Sequence, residues 1–399
     1  MNLNARRGPE EPSCEPVVSV VIPTHNRAAL LVEAIDSVLQ QSLTSFEIIV
    51  VDDRSTDDTE ARVARCDARV RYYKTDRAGA GNARNIGMRH ARGRYLAFLD
   101  SDDLLYPYAL EIEATLLDRR RDVGLVCAEM TGFDAHGVIE RYHLKTYHRS
   151  AYRNPAITYD RIFTSRARLA DAIPVPAALR CDDAAADGRH VYSGHIFDHY
   201  LLNLVLCQNT VMFRRSIGAE VGERSAAMHY WEEVDYLLRI TRRHSVAFID
   251  VPTYRLRYHD GQLSTMAAEA GRYVWMRKQQ ELLRVIKRHA LADTDYYRAH
   301  RRRIDAQLAN LHRAVAVPML LQGGSLRARK RAARYALRYL ARCARYGRPA
   351  RFLQLAAHAP APMRTMAVKL VESCRQAGRS LSWSAEKHFT RAHRTPRLQ

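Results

Sequence analysis

Along the first hundred residues, short apolar runs alternate with stretches of helical periodicity. Val17-Val-Ser-Val-Val-Ile22 is a β-branched run suited to a buried strand, and Pro23-Thr-His-Asn26 ends it. Leu30, Leu31, Ala34, Ile35, Val38 and Leu39 then recur at helical spacing between Arg27 and Gln41. Phe46-Glu-Ile-Ile-Val-Val51 predicts a second strand, stopped at Asp52-Asp53-Arg54-Ser55, and a polar helix follows as far as Cys66. Val70 to Tyr73 predicts a third strand ending at Lys74-Thr-Asp76, and Gly79 to Arg92 a third helix. Tyr95-Leu-Ala-Phe-Leu99 is apolar at every position, so it has no wet face and is predicted to be a strand covered on both sides. It ends abruptly in Asp100-Ser-Asp102-Asp103.

This alternation calls for an α/β fold: a Rossmann-like, mostly parallel central sheet with right-handed crossovers and flanking helices. Such sheets bind ligands at the carboxyl ends of their strands. Each polar cluster falls at such an end: Pro23 to Asn26, Asp52 and Asp53, Asp76, and Asp100 to Asp102. Asp100 and Asp102 are one residue apart. In extended backbone their side chains point the same way, close enough to share one hard cation through oxygen ligands. Asp103 is open to a simpler use as a helix N-cap, with Pro107 an early helical residue.

Charge divides the chain. Residues 267–399 carry 29 Lys and Arg against 7 Asp and Glu, a net of +22, whereas residues 1–266 carry 34 against 36, a net of −2. The basic excess therefore belongs to the last third, and the two regions are expected to do different jobs. Residues 1–16 are polar and lack the apolar core of a secretory signal, and no apolar run reaches the roughly 20 residues that cross a bilayer. Seven cysteines without a C-x-x-C pair argue for reduced thiols, against a disulfide framework or a zinc ribbon. A cytoplasmic protein is expected, with the basic tail able to bring it to the inner face of the membrane.

The usual phosphate devices are absent. No G-x-G-x-x-G follows the first strand and no G-x-x-x-x-G-K-[ST] occurs anywhere; the glycines of Gly79-Ala-Gly81-Asn-Ala-Arg-Asn-Ile-Gly87 have another spacing and open a later crossover. An acid-lined crevice of this kind must hold phosphate through a cation. At this point four ordered segments carry a resemblance: Val18-Ser-Val-Val-Ile-Pro-Thr-His-Asn26, Ile49-Val-Val-Asp-Asp-Arg-Ser55, Ala83-Arg-Asn-Ile-Gly87 and Phe98-Leu-Asp-Ser-Asp-Asp103. Together they resemble the family 2 glycosyltransferases of the GT-A fold, almost without gaps from Val17 to about Leu117. His25 stands where an aromatic is typical, and Arg54 where Gly or Asn is frequent.

The resemblance implies an inverting transfer from a nucleotide diphosphate sugar, a UDP-sugar first, to a hydroxyl of a glycan or lipid-linked acceptor in cell-envelope polysaccharide or lipopolysaccharide synthesis. It assigns Pro23, Asp52 and Asp53, with Thr24 and Asn26, to the base and ribose pocket, and Asp76 and Arg84 to its continuation. Asp100-Ser101-Asp102 matches the D-x-D motif. Asp102 is then the direct ligand of Mn or Mg, Asp100 is shared between ribose and metal, and Ser101 lies with the donor.

Four regions are expected: an arm at 1–16, a donor half at 17–122, an acceptor half at 123–265, and a helical basic extension at 266–399. Phe133-Asp-Ala-His-Gly-Val-Ile139 suggests a hairpin, while no fold is assigned to residues 140–190. Trp231-Glu-Glu-Val-Asp-Tyr-Leu-Leu-Arg239 resembles the family's E-D-x-D-x-x-x-R helix, with Glu233 in place of the usual Asp. Glu233 is the candidate base and Glu232 the alternative, since an acceptor hydroxyl needs a carboxylate within hydrogen-bond reach. Asp235 and Arg239, at i and i+4, suit an ordinary helical ion pair. His259, after the strand-like Val246 to Tyr258, is either a further metal ligand or a surface histidine. In the tail Arg327, Arg331, Arg334, Arg338, Arg342 and Arg345 form a cationic stripe suited to an anionic membrane surface, and nucleic acid is the less expected partner. A nucleotidyltransferase would need a Gly-rich loop that Pro23 to Asn26 does not supply. A non-catalytic scaffold would not need intact acids at Asp100, Asp102, Glu232 and Glu233.

Overall fold

The computed structural model describes residues 15–76, 79–148, 152, 157–260, 262, 271–321 and 365. The arm up to residue 14 and the arginine stripe at 327–345 lie outside the described residues.

Four strands form the parallel part of the sheet: β1 (Val18–Thr24), β2 (Phe46–Asp52), β3 (Val70–Lys74) and β4 (Tyr95–Phe98). Between them run helices α1 (Ala28–Leu39), α2 (Thr59–Val63) and α3 (Gly79–His90). Every position of β1, β2 and β4 is buried, as expected of strands covered on both faces, while β3 at the edge is only half-buried. Pro23 is tolerated inside β1 because pairing with β4 stops at Val21–Phe98, so its missing N–H leaves no gap on that side of the ladder. Helix α3 packs closely on β1 at Gly87, where a Cβ would come within 2.2 Å of Val21.

The sheet then turns mixed. After β5 (Leu104–Leu105) and α4 (Ala109–Arg119) come β6 (Val123–Asp134) and β7 (Gly137–Glu140), which form the hairpin expected around residues 133–139. Among the described residues of 140–190, to which the sequence assigns no fold, lie four helices of four to six residues: α5 (Leu144–Tyr147), α6 (Tyr159–Ile162), α7 (Leu169–Ala172) and α8 (Ala177–Asp182). They also hold the exposed strand β8 (Ser165–Arg168), paired with β9 (His190–Gly194). Helix α9 (Phe197–Asn203), strand β10 (Val211–Arg214), helices α10 (Arg215–Val221) and α11 (Glu232–Thr241), and strand β11 (Ser245–Arg257) follow.

The strand order is β3-β2-β1-β4-β10-β6-β11-β9-β8, with β5 on β11 and β7 on β6. Strand β10 runs antiparallel between β4 and β6, so the segments expected as donor and acceptor halves share one continuous sheet. On α4, Glu113 is buried against only a Thr253 hydrogen bond, and burial pushes its carboxyl up to about 8.

This body (residues up to 147, 158–200 and 204–262) is one compact unit, and the chain forms a second. There α12 (Gly271–Leu291) and α13 (Thr294–Leu321) pack together through Leu283, Ile286, Ile304 and Leu308 among others. The described part of the extension is thus helical. Among the described residues no helix is long and apolar enough to cross a membrane.

Candidate active site

The acids after β4 meet through a turn rather than through the period of a strand. Strand β4 stops at Phe98, and the chain closes on itself with the Asp103 amide donating to the Asp100 carbonyl at 3.0 Å. This corrects the expectation of extended backbone, although the consequence is the same: oxygens of Asp100, Asp102 and Asp103 lie within 4.8 Å of one another. Asp103 is not the N-cap of the next helix, which begins after Tyr108. Its buried carboxylate instead accepts the Tyr254 hydroxyl and the Arg257 amide, both at 2.7 Å, and ties the turn to β11. Burial, with Asp102 and Asp100 beside it, raises that carboxyl well above its ordinary range.

Asp100 and Asp102 each face a guanidinium. Arg84 Nη2 donates to Asp100 Oδ1 at 2.6 Å, and Asn209 Nδ2 to Asp100 Oδ2 at 3.0 Å. Arg27 Nη1 lies 2.6 Å from Asp102 Oδ2, and His259 Nε2 lies 3.2 Å from the same oxygen. An all-carboxylate oxygen donor set suits a hard divalent cation such as Mg or Mn. Ser101 is buried within the turn.

Arg84 links this turn to α11. It is buried on α3, and its Nη1 reaches Glu232 Oε1 at 3.2 Å. Buried Arg224 approaches the same oxygen at 3.7 Å. The approach requires a glycine at 81, because a Cβ there would sit 2.8 Å from Glu232 Cγ. Burial alone would raise the Glu232 carboxyl, but a hydrogen bond with the Glu233 side chain and the charges of Arg84 and Arg224 outweigh it and hold the group at about 2. Glu233 goes the opposite way. Burial among protein atoms, followed by the charge and hydrogen bond of Glu232, raises its carboxyl well above the ordinary value. Asp235 and Arg239 form the expected helical ion pair at 3.2 Å.

The other predicted residues line the carboxyl ends of β1, β2 and β3. Pro23 and Thr24 are buried, and Thr24 Oγ1 has no hydrogen-bond partner among the described residues. Asn26 is left-handed at φ 52° and accepts the Thr56 amide at 2.7 Å. Asp52 is buried, with one oxygen accepting the Ser55 amide at 2.7 Å and the other the Tyr72 hydroxyl at 2.5 Å. Asp53 is half-buried and accepts the Gly79 amide at 3.0 Å. Asp76 is exposed just past β3. Left-handed, non-glycine backbone recurs at Arg54 (φ 64°) and Trp231 (φ 64°), so three such residues sit in the loops around this edge.

Residues 19–184 match the family model described as glycosyl transferase family 2. The chain carries a glycosyl transferase family 2 domain. Within it, 160 residues are 36% identical to the chondroitin synthase of Escherichia coli, taking in 38% of this chain and 23% of that protein. A further match, 36% over 103 residues, is to the UDP-Glc:alpha-D-GlcNAc-diphosphoundecaprenol beta-1,3-glucosyltransferase WfgD of Escherichia coli, over 25% of this chain and 41% of that protein. The family 2 domain thus aligns with less than half the length of either relative. Its fold is similar to that of TarS from S. aureus, solved with UDP-GlcNAc, at a TM-score of 0.54 and 17% identity over 93% of this chain and 94% of that one.

Sequence reasoning passed over Arg27, Gly81, Asn209 and Arg224. For Arg27 a signal was available, since it directly follows the Pro23 to Asn26 segment. Arg224 and Asn209 reach the site only through long-range packing that no local spacing announces.

Proposed function

We propose that the chain is an inverting glycosyltransferase that moves a sugar from a nucleotide diphosphate sugar to an acceptor hydroxyl in cell-envelope polysaccharide synthesis. The observation that carries this is the continuous link from Asp100 through Arg84 to Glu232, which joins a cation-ready acidic turn to a helix bearing a second pair of acids. Glu232, clamped by two arginines, orients the pair. Glu233, whose raised carboxyl makes it the stronger base once ionised, takes the proton of the attacking hydroxyl. The acceptor oxygen then bonds to the anomeric carbon as the bond to the diphosphate oxygen breaks with its electron pair. Asp100 and Asp102, with His259 beside them, would hold a divalent cation, which would supply positive charge to the departing diphosphate. Thr24, Asn26, Asp53 and Asp76 lie on the strand ends where base and ribose are bound.

UDP-sugars are the first donors to test, because WfgD is named for UDP-Glc and TarS is solved with UDP-GlcNAc. The acceptor in WfgD's name is a lipid diphosphate, which favours a lipid-linked acceptor and a reaction at the cytoplasmic face of a membrane. Incubation with a panel of nucleotide sugars and Mn should release nucleoside diphosphate slowly, and more quickly once an acceptor is supplied. Asp102→Ala should abolish cation-dependent nucleotide binding. Pyrophosphate exchange in place of diphosphate release would assign the site to nucleotidyl transfer instead.

A further inference from the structure

The opposite edge of the sheet holds a second polar site. Strands β1, β2 and β4 all start there, and Arg214 at the end of antiparallel β10 pairs with Tyr95, the first residue of β4. A cavity of about 700 Å³ opens at this edge, lined by five arginines against two carboxylates. From Tyr95 to Asp100 is five residues, about 16 Å of extended chain, so this cavity is distinct from the acidic turn.

Its charges are not balanced. Arg89 pairs with Glu223, and Arg94 with Asp118 at 3.2 Å. The remaining three, Arg121, Arg214 and Arg215, form no ion pair among the described residues. Arg214 is held by main-chain carbonyls, its Nε donating to Val123 at 3.2 Å and its Nη2 to Leu117 at 2.7 Å and Arg120 at 3.1 Å, and by the Tyr95 ring, whose centroid lies 5.8 Å from its Cζ. Arg215 Nε donates to the Gly93 carbonyl at 2.8 Å. Neutral acceptors hold the planes of these guanidiniums, and Asp122, which feels the Arg214 charge, is itself paired with Arg120 at 2.7 Å. Arg121 is exposed directly after α4.

Three lining guanidiniums without an ion pair among the described residues, two of them held in place, favour an anion with several oxygens and more than one charge. We propose that this cavity binds a diphosphate group, either free in solution or as part of a lipid headgroup. The inference stands whether or not the carboxyl edge transfers a sugar.

The test is calorimetric titration of the full chain with inorganic pyrophosphate in EDTA, which silences any cation-dependent site. Saturable, salt-sensitive binding is expected, with affinity at least tenfold weaker in the Arg121→Gln/Arg215→Gln double variant and unchanged in Asp102→Ala. Should the double variant fail to fold, Arg121→Glu alone, at an exposed position, should give the same loss. Competition by vesicles containing an anionic phospholipid would identify a headgroup as the source, and lack of competition a soluble diphosphate. Absence of saturable binding in the unmodified chain, or equal affinity in the folded arginine variants, would overturn the proposal.

Discussion

At the carboxyl edge of the sheet, Asp100 and Asp102 each face a guanidinium at 2.6 Å, whereas at the amino edge Arg214 and Arg215 donate to main-chain carbonyls and form no ion pair among the described residues. The first edge is internally neutralised. A ligand arriving there must bring its own cation to compete with Arg27 and Arg84. The second edge keeps its charge open, so an anion needs no escort. Under the two proposals made above, opposite edges of one sheet both serve phosphate chemistry, one through a cation and the other through guanidinium.

The largest expected effect separates the edges by chemistry. Glu233→Gln should lower kcat by about 10²–10⁴-fold while nucleotide binding and pyrophosphate binding both persist; normal transfer by this variant would remove Glu233 as the base. Next comes the arginine that joins the acidic turn to α11. Arg84→Met leaves Asp100 and Glu232 facing each other without their shared cation, and urea unfolding should show a loss of about 3–5 kcal/mol. A loss below about 1 kcal/mol would mean that Arg84 is replaceable by solvent at this site.

A smaller change sharpens the same link. Gly81→Ala pushes a methyl against Glu232 Cγ and should lower kcat by about tenfold through a displacement of the pair by a fraction of an ångström, with KM for donor little changed. The last effect belongs to neither edge. Glu113 keeps its proton in the folded chain up to about pH 8, whereas an ordinary glutamate loses it near 4.5. Between those values the folded state binds the extra proton, so stability falls as pH rises, by about 1.4 kcal/mol per pH unit, and levels off above pH 8. Glu113→Gln should flatten that slope in denaturant titrations across the window; an unchanged slope would place its origin elsewhere, for instance at Glu129, raised to about 7 by burial.

Much of the carboxyl edge was legible in the sequence because strand burial and motif spacing are local. The runs at Val18, Phe46, Val70 and Tyr95 each became a strand within a residue or two of the expected start. The Asp100–Asp102 juxtaposition was foreseen for the wrong reason, since a turn brings the two together. Residues 140–190 resisted because helices of four to six residues are too short to display a 3.6-residue period. The clamp on Glu232 was hidden for a different reason: Arg84 lies 148 positions away on another helix, and Arg224, eight positions away, lies in the loop before α11, so neither shares a helix with Glu232. The amino-edge cavity left no trace in sequence because its arginines come from α3, β10, α10 and the loops before β4 and after α4, and gather only once the sheet is assembled.

Asn26, Arg54 and Trp231 hold bulky or polar side chains on backbone that glycine would occupy with less strain. Three local springs are thus compressed in the connections around a single cleft. If selection for heat resistance alone were applied to this chain, glycine at 54 or 231 would be among the early solutions, and whatever those side chains contribute to turnover would be forfeited.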